Sequence, residues 1–296
     1  MNRRRFLRST TIAAGLAALP GRLSALADDG TLRIGLTAVV VREYVRSFND
    51  FRDYLTIRTG RAVSFVQRRT YAGIMDLLAR GELEAAWICG YPYVQPREPE
   101  FLDLLVAPVY RGAPLYRSLV IVPADSVARN IEDLRDGVFA YSDPDSNSGY
   151  LVPRSTLAEL GHDPDRFFRF SFFTYSHAET VAAVAEQVAD GGAVDSYIYN
   201  IQSRYEPDLV ARTRVIRASR QFGFPPIVVH RDLAPDVRLR LLNTLTGMAG
   251  DPEGAALLAR LDLDGFSQVA PPLYDSIRDL ARRAAVPFAG SAADAL

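Results

Sequence analysis

Short apolar runs alternate with segments of helical periodicity between residues 31 and 122. Each apolar run suits a buried strand, and the longer segments repeat apolar residues every three or four positions and end near a glycine. The predicted strands are 32–36, 63–66, 85–88, 104–109 and 119–122, and the predicted helices are 43–59 and 70–78. This order predicts a mostly parallel sheet with helices on both faces.

A second alternating unit begins near Pro123. Its predicted strands are 138–141, 170–173, 193–199 and 213–218, and its predicted helices follow the polar turn 142–149 and cover about 177–189. The segment 224–229 leads back to the first unit. The remaining helices, near 235–249, 252–260 and 274–284, are too few to form a domain, and we expect them to pack on the first unit.

The pattern therefore predicts an α/β protein of two lobes. Residues 28–122 and 223–296 form the first lobe and residues 123–222 the second, with hinge segments near 118–124 and 219–226. A cleft lies between the lobes, and ligands of open α/β sheets bind at the carboxyl ends of the strands.

The first 27 residues have the composition of an export signal. A basic segment, Arg3-Arg4-Arg5-Phe6-Leu7-Arg8, precedes the apolar stretch 10–19, and Ala25-Leu26-Ala27 is a small-residue cleavage site. The order of the first segment resembles a twin-arginine signal peptide. Cleavage near Ala27 would remove five arginines and no acid, which leaves 29 basic and 35 acidic residues, a net charge of −6. The sequence predicts a soluble periplasmic protein.

Composition excludes several functions. The acidic mature chain has no broad basic surface for nucleic acid. It contains no lysine, so P-loop and Schiff-base chemistry is excluded. Cys89 is the single cysteine and cannot form an internal disulfide. The three histidines and this cysteine show no metal-ligand spacing, and we predict no metal, no cofactor and no catalytic residue.

Three strand-to-helix turns carry hydrogen-bond donors. The first contains Ser146, Asn147 and Ser148, and Gly149 there lets a ligand approach the backbone closely. The second has Thr70 as N-cap followed by Tyr71. The third is the capping box Ser176 to Glu179, which places His177 first in its helix. Helix N-termini attract anions, so these turns together predict a site for a small tetrahedral oxyanion, with Asp143 available to a ligand donor.

The segment Asp143-Pro144-Asp145-Ser146-Asn147-Ser148-Gly149-Tyr150-Leu151-Val152-Pro153 resembles the Asp-Pro-x-Ser-Thr-Ser-Gly-x-x-x-Pro motif of the phosphonate-binding family of periplasmic solute-binding proteins. Further similar segments follow the family order: Thr70-Tyr71, Ala86-Trp87-Ile88-Cys89-Gly90, Ser176-His177-Ala178-Glu179, Val194-Asp195 and Pro226-Ile227-Val228. The resemblance implies a two-lobed periplasmic-binding-protein fold, type II-like, with mixed and mostly parallel sheets. It also implies capture of phosphonate, phosphate or phosphite for an ABC permease.

By the same resemblance, Ser146, Asn147 and Ser148 bind the oxyanion, and Tyr71 and His177 complete its shell. Relatives that bind aminoalkylphosphonates hold the ammonium group with acids. This chain has Tyr199-Asn200-Ile201 and Gly223-Phe224-Pro225-Pro226 at those places, without an acid. An unpaired buried cation is costly, so Tyr199 and the neighbouring aromatics indicate a smaller or less polar ligand.

Two other functions stay open at this point. Cys89 faces the cleft in the family's first-lobe turn, where it is either a small buried side chain or a thiolate ligand for arsenite in a sensor that signals to a membrane histidine kinase. An enzyme on the same scaffold is the other alternative, although no nucleophile–base pair is evident. The leading hypothesis is a monomeric oxyanion-binding protein.

Overall fold

A computed structural model describes residues 30–37, 45–95 and 101–284, arranged around two separate sheets. The first sheet has the order β11-β4-β10-β3-β1-β2. Its strands are β1 (Thr31–Leu36), β2 (Ala62–Gln67), β3 (Ala85–Trp87), β4 (Leu102–Val109), β10 (Ile227–His230) and β11 (Gly265–Ser267). β1 pairs in parallel with β2 and β3, and the other ladders are antiparallel.

The second sheet has five strands in the order β7-β6-β8-β5-β9. Its strands are β5 (Leu115–Pro123), β6 (Val138–Tyr141), β7 (Phe170–Phe173), β8 (Gly191–Asp195) and β9 (Thr213–Gly223). β6 pairs in parallel with β7 and β8, whereas β5 runs antiparallel to β8 and β9. The two sheets correspond to the two lobes that we propose.

Ten α-helices connect or cover the strands in the described part of the chain. They are α1 (Val45–Thr59), α2 (Tyr71–Ala79), α3 (Gly90–Tyr93), α4 (Val152–Glu159), α5 (His177–Ala185), α6 (Ser196–Tyr205), α7 (Pro207–Val210), α8 (Pro235–Gly247), α9 (Pro252–Arg260) and α10 (Asp275–Ala284). None of the helices among the described residues is both long and apolar enough to cross a bilayer. The helix α10 packs on α3 and on α4, so it bridges the two sheets rather than covering the first alone.

The predicted α/β fold with two mixed sheets is confirmed, but three details differ. Antiparallel ladders outnumber parallel ones, because β5, β9, β10 and β11 pair with strands distant in sequence. The segment 119–122, predicted in the first lobe, belongs to β5 of the second sheet, so the chain first crosses between the sheets at 110–114. Residues 196–199, predicted as strand, are helical. The export signal and the start of the first predicted helix lie outside the described residues.

Candidate functional site

The carboxyl ends of five strands and the polar turns that follow them meet between the two sheets. β2 leads to Thr70 and Tyr71, and β3 leads to Cys89. On the second sheet, β6 leads to the turn 142–149, β7 to the start of α5, and β8 to the start of α6. The strand ends thus place polar groups of both sheets opposite one another, as expected for a ligand site in an open α/β fold.

The turn after β6 is fixed by its own side chains. The Asp143 carbonyl accepts from the Ser146 amide at 2.9 Å. Ser146 is the N-cap of the π-helical turn 147–151, and its hydroxyl accepts from the Gly149 amide at 2.9 Å. Single π-helical turns inside helices are frequent at functional sites. These bonds use Ser146 Oγ as an acceptor that supports the turn, and they leave its O–H as a donor beside the Tyr71 phenol.

Ser148 in this turn carries hydrogen-bond donors that the protein does not use. Its side chain is 1% exposed, and its Oγ has no hydrogen-bond partner. Among the described residues its amide has none either, while its carbonyl accepts from the Ser118 hydroxyl at 2.6 Å. An unpaired buried polar group costs about 1–3 kcal/mol, so two donors on one residue indicate a place where a ligand binds.

Asn147 and Tyr116 supply a further donor beside Ser148. The Asn147 Nδ2 donates to the Tyr116 hydroxyl at 2.9 Å, and the buried Asn147 Oδ1 has no partner. In this orientation the Tyr116 proton is free. If the amide were turned over, Tyr116 would donate to Oδ1 and the amide NH₂ would be free instead. Either arrangement leaves at least one donor for an anion. Tyr116 was not among the predicted site residues, because the predicted strand began only at residue 119.

Tyr71 and His177 meet from opposite sheets. The Tyr71 hydroxyl lies 3.4 Å from His177 Nε2. The backbone amide of Asp195 donates to His177 Nδ1 at 3.2 Å, so Nδ1 is an acceptor and the neutral ring carries its proton on Nε2. Burial lowers the pKa of His177 to about 3, which keeps the ring neutral. The imidazole donates toward Tyr71, and the phenol proton remains available to a ligand.

Tyr71, Tyr116, Asn147, Ser148 and His177 form what we call the donor cluster. All are buried, and none is a cation. The hydroxyl of Ser148 and the side chain of Asn147 act on the pKa of Tyr116, and Cys89 acts on those of Tyr71 and Tyr116, so these groups are close neighbours. Such an arrangement can replace the water around a small oxyanion with neutral hydrogen-bond donors, without supplying opposite charge.

Asp143 does not offer its carboxylate to a ligand. Its Oδ2 accepts from the Tyr71 backbone amide at 3.1 Å, and its Oδ1 accepts from the Asp145 amide at 2.8 Å. Because Tyr71 opens α2, the carboxylate of one sheet binds the positive end of a helix attached to the other. The N-terminus of α2, which was predicted to bind the ligand anion, binds the Asp143 carboxylate instead. The helix therefore offers the ligand the hydroxyl of Tyr71.

Asp195 ends β8 and is buried beside the donor cluster. Its Oδ1 accepts from the amides of Tyr197 at 2.7 Å and Ile198 at 3.4 Å, so it is the N-cap of α6. Burial raises the pKa of Asp195 to about 7, despite these two bonds. The sequence pattern did not identify it, because the segment was predicted as a continuous strand. An aspartate directly before a serine and a tyrosine-rich segment is a capping signal that could have found it.

Two predicted site residues differ from expectation. Tyr199 is not brought to the donor cluster: its hydroxyl lies 2.9 Å from the Thr213 hydroxyl, and its ring packs on a separate apolar cluster of the second lobe. Cys89 does lie at the cluster, and its Sγ accepts from the Asn147 amide at 3.4 Å. Burial raises the pKa of the Cys89 thiol to about 11, so it is protonated at neutral pH, unlike a thiolate ligand for arsenite.

The paired shifts of Asp195 and His177 predict an unusual dependence of stability on pH. The pKa of Asp195 is about 7 against an ordinary 3.8, so its contribution to stability is complete below pH 3.8 and is lost as pH rises toward 7. The pKa of His177 is about 3 against 6.5, so its contribution is lost as pH falls from 6.5. Between these limits the folded protein holds one proton on Asp195 and the unfolded chain holds one on His177. Because each state binds one proton, the two changes of stability with pH cancel between pH 3.8 and 6.5.

Single substitutions should uncover each contribution. Relative to the wild type, Asp195→Asn is expected to make the free energy of unfolding rise with pH between 4.5 and 6.5, by up to about 1.4 kcal/mol per pH unit. His177→Gln should make it fall by a similar amount. Urea unfolding of the ligand-free variants across this range measures both slopes. Equal slopes in all three proteins would show that neither group changes its proton affinity on folding.

A family model described as "ABC transporter, phosphonate, periplasmic substrate-binding protein" matches residues 37–274. The phosphonates-binding periplasmic protein of Escherichia coli K12 is 25% identical over 221 residues, which cover 71% of this chain. The alignment spans 64% of that relative's length, just under two thirds.

Two solved structures have the same fold. A binding-protein component of an ABC phosphonate transporter from Pseudomonas aeruginosa matches with a TM-score of 0.80 at 23% identity and covers 86% of each chain. PhnD1 from Prochlorococcus marinus, solved with methylphosphonate, matches with a TM-score of 0.77 at 18% identity, covering 86% of this chain and 98% of its own. Because the family model covers most of the sequence and the fold agrees, this chain belongs to the family of periplasmic substrate-binding proteins of phosphonate ABC transporters.

Proposed function

We propose that the protein captures a small phosphorus oxyanion, phosphonate, phosphate or phosphite, in the periplasm and presents it to an ABC permease. The observation that carries this proposal is Ser148, a fully buried residue whose hydroxyl has no partner. Its position among neutral donors from both sheets supports a site where the anion binds between the lobes. The protein acts as a monomeric carrier and not as an enzyme.

The surroundings of the donor cluster favour a ligand with a small substituent. Tyr116 also belongs to a buried aromatic group in which its ring centroid lies 5.9 Å from that of Phe224. Phe224 lies 5.2 Å from Tyr197, which lies 5.3 Å from Tyr110. These rings fill the space next to the anion site. A long aminoalkyl chain would have to displace them, whereas phosphate, phosphite or methylphosphonate would not.

Isothermal titration of the mature protein tests the proposed function. The protein is first unfolded and refolded to remove any ligand carried through purification, and is then titrated with phosphate, phosphite, methylphosphonate and arsenite. We expect binding of at least one phosphorus oxyanion. Binding of arsenite alone, abolished by Cys89→Ser, would replace transport by sensing. Absence of binding to all four anions would contradict the proposal.

Ser148→Ala is expected to weaken oxyanion binding by about 1–3 kcal/mol, the usual cost of leaving one buried hydrogen-bonding group without its partner. Ser155→Ala is the matched control, because Ser155 is another buried serine whose Oγ has no partner, but it lies in α4. The Ser155→Ala protein should bind the oxyanion with the affinity of the wild type. Titration of both variants with the ligand found above measures the difference, and an unchanged dissociation constant for Ser148→Ala would remove this hydroxyl from the site.

A further inference from the structure

Asp195 has a carboxylate oxygen that the fold does not use. Its side chain is 1% exposed, and Oδ1 takes both cap hydrogen bonds of α6. Oδ2 has no hydrogen-bond partner among the described residues. The backbone amide of the same residue binds His177, whose ring reaches Tyr71. Asp195 is therefore joined to the donor cluster through its backbone amide, and its carboxylate is close enough to act on the phenols of Tyr71 and Tyr116.

The groups that face Asp195 supply no positive charge. Its charge acts on the phenols of Tyr71 on α2, Tyr116 on β5 and Tyr110 at the crossing segment, and on the thiol of Cys89. His177 on α5 is kept neutral by burial. The second carboxylate near Tyr71 and Cys89, that of Asp143, adds negative charge. An anion bound by the donor cluster thus meets carboxylates and neutral donors, with no arginine among the groups that act on Asp195.

A fully ionised ligand in this place would repel the Asp195 carboxylate in a dry environment, where the interaction is strong. One proton between the two groups removes this repulsion and forms a charge-assisted hydrogen bond. A phosphonate or phosphate can bring that proton as its P–OH group, or can accept it from a protonated carboxyl. A sulfonate or sulfate has no such hydroxyl at neutral pH. It can accept hydrogen bonds from the donor cluster, but it cannot donate one to the Asp195 carboxylate.

We propose that Asp195 and the bound ligand share one proton through Oδ2, and that this makes the site select protonatable oxyanions, phosphonates and phosphates, over permanently ionised sulfonates and sulfates. The inference rests on the proposed function and deepens it. It predicts that binding at alkaline pH takes up a proton from solution. Selectivity should weaken at acid pH, because a carboxyl that is already protonated can donate to a sulfonate as well.

Methylphosphonate and methanesulfonate are the probes, since they have the same shape and differ in the ionisable hydroxyl. In wild-type protein at pH 8 we expect methylphosphonate to bind at least 100-fold more tightly, and this ratio should fall by at least tenfold at pH 5.5. Titration in buffers of different ionisation enthalpy should show uptake of up to one proton per methylphosphonate at pH 8. This measurement needs no variant, so it tests the inference even if a substitution at Asp195 impairs folding.

Asp195→Asn keeps an acceptor for the α6 cap and removes the proton-sharing group. In this variant the preference for methylphosphonate over methanesulfonate at pH 8 should fall to about tenfold or less, and proton uptake should disappear. Asp251→Asn is the matched control, because Asp251 is the N-cap of α9 and binds Tyr54 and Arg58 away from the site. Its preference should remain that of the wild type.

The outcomes separate this inference from the proposed function. Wild-type protein that binds neither probe nor any phosphorus oxyanion overturns both. Equal binding of the two probes at pH 8, no proton uptake, or an unchanged preference in Asp195→Asn overturns the inference alone. Tighter binding of 2-aminoethylphosphonate than of methylphosphonate, lost in Asp195→Asn, would also overturn it, because the carboxylate would then hold a cation.

Discussion

Replacing Gly149 with alanine is expected to abolish oxyanion binding, with a loss of affinity of 100-fold or more. An added Cβ would lie 2.5 Å from the Cβ of Ser142 and 3.0 Å from the Ser146 hydroxyl. Ser142 cannot give way freely, because its hydroxyl oxygen lies 2.8 Å from His177 Nδ1 and 2.9 Å from the Ala193 carbonyl oxygen. Relief of the clash must therefore move the turn that holds Ser148, or the histidine opposite it.

The same clash should lower the free energy of unfolding by about 1–3 kcal/mol, the usual cost of overpacking a filled core. Gly247→Ala is the matched control, because Gly247 ends α8 and a Cβ there would meet nothing within 4 Å. This control should bind normally and gain up to about 1 kcal/mol of stability. Titration and urea unfolding of both variants are the measurements. A folded Gly149→Ala protein with wild-type affinity would show that the turn does not contact the ligand.

Local signals account for the part of the site that the sequence predicts. Thr70 and Ser176 are the N-caps of their helices as expected, with side chains that accept from amides three residues on. The predicted capping box is only half formed, because the Ser176 amide donates to the Thr174 hydroxyl instead of to Glu179. The turn at 146–149 was recognisable because its serine, asparagine and glycine lie between an apolar strand and a helix. These features depend on neighbours within a few residues, and a sequence displays such neighbours directly.

Contacts between distant segments account for what the sequence does not predict. The Tyr71 amide meets Asp143 across 72 residues, and Asn147 meets Tyr116 across 31. No periodicity marks either pairing. Tyr199 was assigned to the site by its place in the family resemblance, but the Asp195 cap starts a helix there, and the Tyr199 hydroxyl meets that of Thr213. The excess of antiparallel ladders has the same origin, since strand partners are chosen by the tertiary fold.

Asp143→Ala is expected to weaken oxyanion binding by about 100-fold or more. The carboxylate makes two charge-assisted hydrogen bonds, each worth about 1.5–3 kcal/mol, one within its own turn and one to the first amide of α2. The second bond joins the two sheets. Its loss leaves a helix N-terminus without its anionic partner and favours the separated lobes. We therefore expect ligand dissociation to accelerate, with a smaller change in association.

Two further variants assign this loss to the contact between the sheets. Asp163→Ala removes a local bond of the same kind, because Asp163-Pro164-Asp165 repeats the Asp-Pro-Asp turn and its Oδ1 accepts from the Asp165 amide at 2.9 Å. That variant should bind as the wild type does. Asp143→Asn retains one acceptor oxygen without the charge, and we expect a loss of about tenfold. Stopped-flow dissociation and equilibrium titration distinguish these cases. If Asp143→Ala and Asp163→Ala bound the ligand with the same affinity, the Asp143 carboxylate would stabilise only its own turn. Its hydrogen bond to the first amide of α2 would then contribute nothing to ligand binding.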